Sequence, residues 1–201
     1  MKSELMDLDM NDVRKMSLQL AQKVTEKPDM VAFVAKGAYL IGLTMAEYFL
    51  TPLIEVEAVR SGNDMKNLLK PMLALFPTDL KVWLRKKEMS SGVHAKNTER
   101  SVKINDPNGL IGGNFRSILL VDDSVDTGNT VLSVKAALQR AFPQAHIITA
   151  AFFVFEASKS LVTIDYSLYG DTIFSAPWSN DSSYKKEFMA EYFMMKEKGT
   201  F

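Results

Sequence analysis

Apolar residues at the start of this chain recur at two different periods. Val13, Met16, Leu20 and Val24 are spaced three and four apart, the stripe of an amphipathic helix, and Lys27-Pro28-Asp29 ends it. Met30 to Ala35 (MVAFVA) is a short unbroken apolar run, as in a strand buried on both faces. Lys36-Gly37 makes a turn, and Ala38 to Leu50 (AYLIGLTMAEYFL) reads as a buried helix that Thr51-Pro52 stops. Leu53 to Val59 alternates apolar residues with Glu55 and Glu57, which predicts a second strand nearer an edge. Ile118 to Val121 is another strand, and Val131, Val134, Leu138 and Ala141 form one face of the helix after it. His146 to Phe155 predicts a further core strand beyond Pro143, Val162 to Leu168 a short one, and Ser182 to Lys198 a terminal helix. Strands alternating with helices predict an α/β fold, a Rossmann-like, mainly parallel sheet flanked by helices.

The stretch ILLVDDSVDTGNTV, residues 118–131, departs from that pattern. A strand runs straight into two adjacent acids, Asp122 and Asp123, and a turn built from Asp126, Thr127, Gly128, Asn129 and Thr130 opens the next helix. In open parallel sheets, ligands bind beyond the carboxyl ends of the strands. A helix start carries backbone N–H groups without intrahelical partners, so with the two threonine hydroxyls it makes a pocket for a phosphate. Gly128 lets the backbone come close to the anion. The acids would repel that phosphate unless they face hydroxyl groups or a magnesium ion, which commonly takes one or two carboxylates and completes its shell with substrate phosphates. A phosphorylated sugar satisfies all of these groups. The plain alternative is an ordinary strand–helix turn with solvated acids.

Composition narrows the setting. The chain has 201 residues, enough for a single domain spanning 1–201, and a formal net charge of zero, which gives no sign of general nucleic-acid binding. It has no cysteine, so disulfide and thiol chemistry are excluded. The N-terminal MKSELMDLDMNDV is acidic with no apolar core, unlike a signal peptide, and no stretch is apolar enough to span a membrane. A cytoplasmic protein is expected. Charge is distributed unevenly: residues 63–103 hold nine Lys and Arg against four Asp and Glu, a local +5 balanced by −5 elsewhere.

The 118–131 stretch resembles the phosphoribosyl-diphosphate (PRPP) signature of the type I phosphoribosyltransferases, with every fixed position met by Asp122, Asp123, Thr127, Gly128 and Thr130. The resemblance implies that Asp122 and Asp123 hold the ribose hydroxyls and Mg²⁺. Residues 126–130 (Asp126, Thr127, Gly128, Asn129, Thr130) would take the 5′-phosphate. Lys36 and Gly37 fall where the family has a pyrophosphate-binding loop, which often holds a non-proline cis peptide. Residues 62–103 fall where it inserts a flexible loop, with Arg100 among the basic candidates for the diphosphate, and residues 156–201 would form a small hood and C-terminal helix. The chain is most similar to the bacterial xanthine–guanine and hypoxanthine enzymes. Like them it has an acid before Thr-Gly, so Asp126 would be the general base. Asp165-Tyr166 and the run from Asp171-Thr172 to Pro177-Trp178 also match. The base pocket departs from theirs: Ile173, with Phe174 next, stands at the stacking aromatic. Phe153 or a neighbour stands where a lysine reads the purine oxo group, and Lys159 comes too late unless its loop folds back. The resemblance therefore implies Mg²⁺-dependent transfer of 5-phosphoribosyl from PRPP to a purine-like base, in a homodimeric enzyme of nucleotide salvage. A non-purine acceptor, or a module that senses PRPP or a nucleotide without turnover, are the alternatives.

Overall fold

A computed structural model of the chain describes residues 6–60, 100–172, 174–180 and 182–201. The chain divides into two compact units, Met1–Ala58 with Val102–Phe201, and Val59–Ser101. The first holds nearly all of the described structure. In chain order its elements are β1 (Met6–Asp7), α1 (Met10–Lys23), β2 (Met30–Val34), α2 (Tyr39–Phe49) and β3 (Leu53–Arg60). After them come β4 (Arg100–Asn105), β5 (Ser117–Val125), α3 (Asn129–Ala141), β6 (His146–Val154), β7 (Tyr166–Tyr169), β8 (Phe174–Ser175) and α4 (Lys185–Glu197). The strands β3 and β4 reach across the boundary between the units.

Six strands form one sheet in the order β4-β3-β2-β5-β6-β7. The pairs β2–β3, β2–β5, β5–β6 and β6–β7 are all parallel. Helices cover both faces, as a parallel sheet requires. Val31, Phe33, Leu119 and Val121 face the cluster that includes Val13 and Leu20 of α1, Tyr39 of α2 and Phe188 of α4. Their neighbours in sequence, Met30, Ala32, Ile118 and Leu120, face Val134 and Leu138 of α3. That two-residue alternation is why β2 and β5 read as unbroken apolar runs.

Sequence and structure differ at the ends and edges. β5 runs through both acids to Val125 instead of stopping at Val121. β7 begins at Tyr166, because the carboxylate of Asp165 is taken up by Thr149, accepting from its N–H at 2.8 Å and its hydroxyl at 2.7 Å. β3 lies one place in from the edge, and the edge strand is β4, which takes in residues 100–103 from the expected insertion. A second, two-stranded sheet pairs β1 with β8, Met6 opposite Phe174. β1 and β8 are two residues each, too short to carry any periodicity.

Candidate active site

The loop after β2 and the end of β5 meet. The Ala35–Lys36 peptide is cis, and α2 starts at Tyr39 with Ala38 as N-cap and no side-chain cap. A Cβ built on Gly37 would lie 2.7 Å from the Asp123 Cγ and 2.8 Å from both of its carboxylate oxygens. Glycine at 37 is therefore a matter of space: the Asp123 side chain occupies the room a side chain there would need. Lys36 holds its ammonium 5.1 Å from the centre of the Phe193 ring and 5.7 Å from that of Tyr192, both on α4.

The two acids have different surroundings. Asp122 is buried, and its Oδ1 accepts from the backbone N–H of Asp123 at 2.9 Å. Asp123 is half-buried, and its Oδ2 accepts from the Trp178 indole N–H at 2.6 Å. Burial pushes the Asp123 carboxyl above the usual carboxylate range, against hydrogen bonds from the Asp122 side chain and Trp178 that pull it down. Two carboxylates in sequence suit a hard cation that takes its remaining ligands from a phosphate. No cluster of three or more His, Cys, Asp or Glu able to hold a metal occurs among the described residues.

The turn that follows has the features of an anion site. Gly128 is the N-cap of α3, in the left-handed conformation at φ 83°, and no side chain caps the helix. A Cβ there would meet Val162 Cγ1 at 2.4 Å, so glycine is required by conformation and by space. The loop after β6 does fold back onto the turn, with Val162 against Gly128. Lys159, however, pairs with Glu156 at 2.5 Å and helps line a cavity of about 450 Å³ with Val162, Tyr169 and Gly170. Asp126 and Thr127 are exposed, while Asn129 and Thr130 are half-buried. The Asn129 amide donates to the Thr127 hydroxyl at 3.1 Å, and Ser124 Oγ donates to Asp126 Oδ1 at 3.4 Å.

Further along the sheet is a stack of rings. Phe174 lies on Phe153 with centroids 3.9 Å apart and planes 4° from parallel, and Tyr169 stacks on Phe153 at 5.5 Å. Phe153 pairs in register with Ser124, next to Asp123. Ile173 lies outside the described residues, as do Arg85, Lys86, Lys87 and Lys96. Arg100 lies in β4, within the unit Val59–Ser101, and is half-buried.

Some groups near the site carried no sequence signal. Trp178 stood out only as half of a Pro-Trp pair. Glu55 looked like the outward face of a strand, yet it is fully buried. It accepts from the Tyr192 hydroxyl and from Lys196, the latter at 2.5 Å, and Lys196 also reaches Glu57 at 2.9 Å. The Asn105 amide of β4 also donates to Glu55, at 2.6 Å, so the terminal helix and the neighbouring strand together account for that carboxylate.

The phosphoribosyl transferase domain model matches residues 7–182. The chain belongs to the phosphoribosyltransferase family. Solved structures of such transferases share its fold. A purine phosphoribosyltransferase from Pyrococcus horikoshii aligns at a TM-score of 0.58 and 18% identity, over 88% of this chain and 95% of that one. The Helicobacter pylori xanthine–guanine–hypoxanthine enzyme aligns at 0.60 and 17%, over 93% and 99%. A Neisseria gonorrhoeae protein with bound ppGpp aligns at 0.56 and 15%, over 96% and 98%. No curated protein matches the chain. The parallel six-stranded sheet and flanking helices are thus the type I phosphoribosyltransferase fold, and the chain is a transferase by family.

Proposed function

We propose that this phosphoribosyltransferase transfers 5-phosphoribosyl from PRPP to a purine-like nitrogenous base, releasing pyrophosphate in a Mg²⁺-dependent reaction. One observation carries the reading: the carboxylate of Asp123 lies against Gly37. That contact joins the acid pair to the Lys36-Gly37 loop, two parts of a PRPP site that are far apart in sequence. The uncapped, glycine-started helix at Asn129 supplies the third part.

In this reading residues 126–130 bind the 5′-phosphate through α3 N–H groups and hydroxyls. Asp122 and Asp123 hold the ribose hydroxyls and, with the diphosphate, Mg²⁺. Lys36 and Gly37 receive the pyrophosphate. The bound cation would neutralise charge developing on the departing diphosphate. The acceptor nitrogen forms its bond to C1 of the ribose as the bond from C1 to the pyrophosphate oxygen breaks. The acids stabilise the cationic sugar between the two, and Asp126 takes the proton from the acceptor. Ile173 and Phe174 form the base side.

The ring stack favours an acceptor held differently from a 6-oxopurine. Phe153 is fully buried beneath Phe174 and Tyr169, so those two half-buried rings are the apolar surface left to meet an acceptor, and Lys159 pairs with Glu156 at the surface. A ring held there would be selected by stacking more than by a donor to its edge. The protein is also proposed to be a cytoplasmic homodimer, consistent with the lack of any described helix long and apolar enough to cross a membrane.

The test is pyrophosphate release from PRPP and Mg²⁺ across a panel of oxopurines, aminopurines, pyrimidines and other azoles. Release with at least one purine-like base is expected. Release only with non-purine acceptors would replace the acceptor, and PRPP binding with no release across the panel would replace the enzyme with a sensor.

A further inference from the structure

Asp123 is held from two sides. Gly37 closes off one side, with both carboxylate oxygens 2.8 Å from where a Cβ would be. Trp178 approaches from the other and donates its indole N–H to Oδ2 at 2.6 Å. Trp178 is itself fixed. Its ring packs on Phe188 of α4 at 5.6 Å, and Phe188 is fully buried. The segment carrying it is a closed turn, with Ser179 N–H donating to the Ala176 carbonyl at 2.8 Å and the Ser179 hydroxyl accepting from Ala176 N–H at 3.0 Å. A donor this well anchored fixes the rotation of the Asp123 carboxylate.

We infer that Trp178 is a positioning residue: its indole N–H holds Oδ2 of Asp123 and so fixes the orientation of the carboxylate proposed to hold the ribose. The inference rests on the PRPP reading above, and it ties the C-terminal part of the chain to the sugar site. Trp178 lies four residues beyond Phe174, so the segment that stacks on Phe153 also orients the acid proposed to hold the ribose.

The experiment is calorimetric titration of PRPP with Mg²⁺ into the full-length wild type, Trp178→Phe, Asp123→Ala and the double variant, with thermal melting of each. Phenylalanine keeps an aromatic ring against Phe188 and removes the donor. The expected result is that Trp178→Phe weakens PRPP binding about tenfold, the size of one charge-assisted hydrogen bond, and adds nothing further in the Asp123→Ala background. A merely structural role would make the two losses add, since a disturbed fold weakens binding whatever stands at 123. Additive losses, or a Trp178→Phe variant that binds as tightly as wild type, would overturn the inference and leave the transferase reading standing. A wild type that does not bind PRPP would overturn both.

Discussion

At the scale of single residues, two glycines carry more of the site than their composition suggests. Gly37 and Gly128 stand where a side chain has no room, one because of Asp123 and the other because of Val162. They fail differently. Gly37→Ala pushes a methyl group into a carboxylate, so PRPP affinity should fall by about tenfold or more, as for a lost charged hydrogen bond, while the melting temperature moves little. Titration calorimetry beside a thermal melt separates the two effects. Gly128→Ala adds a side chain at φ 83° and against Val162. Its cost should be about 1–3 kcal/mol of stability, read by urea unfolding, together with weaker binding of ribose 5-phosphate. Both glycines were visible in the sequence, Gly128 within a long motif and Gly37 within a two-residue turn. The reason for glycine at 37 was not visible, because its neighbour comes from a distant strand.

At the scale of elements, the terminal helix is fastened to the sheet by charge as well as by rings. Arg14 of α1 pairs with Glu191 at 2.8 Å, and Lys196 bridges Glu55 and Glu57. Burial would lower the Lys196 ammonium, but the hydrogen bonds it donates to Glu55, Glu57 and Tyr192 hold it above the ordinary lysine range. Burial, with Glu55 as acceptor, pushes the Tyr192 hydroxyl up to about 12. The Lys196 hydrogen bond holds Glu57 below the ordinary carboxylate range. A carboxylate with a depressed folded-state pKa contributes stability that is complete above the unfolded value and is lost as pH falls through the folded one. Lys196→Met should therefore cost about 3 kcal/mol near neutral pH, because it takes the cation from the buried Glu55 and leaves it only the neutral donors Tyr192 and Asn105. The gap to wild type should narrow as pH falls through the acid range, where Glu57 takes up a proton and loses the charge that Lys196 stabilises in the wild type. Urea unfolding at several pH values checks this, and a gap that does not change with pH would refute it.

Phe201 belongs to the same fastening. It is 2% exposed and packs on Phe33, Tyr39 and Tyr192. Phe201→Ala should destabilise by about 3–5 kcal/mol, the usual cost of deleting a buried aromatic ring, with a matching drop in the unfolding midpoint. The helix was legible as a helix, but its attachment was not. A carboxylate on an alternating strand reads as solvent-facing until something else covers it, and here the cover arrives from the far end of the chain.

At the scale of the whole molecule, a phosphate-and-sugar side that keeps the family motif is set, in the proposed reading, against an acceptor side that departs from it. The proposed enzyme should release pyrophosphate from PRPP only with Mg²⁺ present, and chelation with EDTA should abolish release. Asp126→Asn, which keeps the size of the proposed base and removes its charge, should lower kcat by about 10²–10⁴-fold while leaving PRPP affinity close to wild type. Steady-state kinetics with calorimetry distinguish that outcome from a loss of binding.

What the sequence determined by itself was local. The apolar runs of β2, β5 and β6, the stripes of α1 and α3, and the unbroken motif from Asp122 to Thr130 depend on residues near one another in the chain, so period and spacing expose them. Tertiary structure decided what meets what. The carboxylate of Asp123 lies between Gly37 and Trp178, Lys36 lies over the rings of α4, Glu55 is buried beneath Tyr192 and Lys196, and Phe174 lies flat on Phe153. Each of those contacts joins segments remote in sequence, and only the folding of the sheet and the return of the C-terminal segment across it bring them within reach.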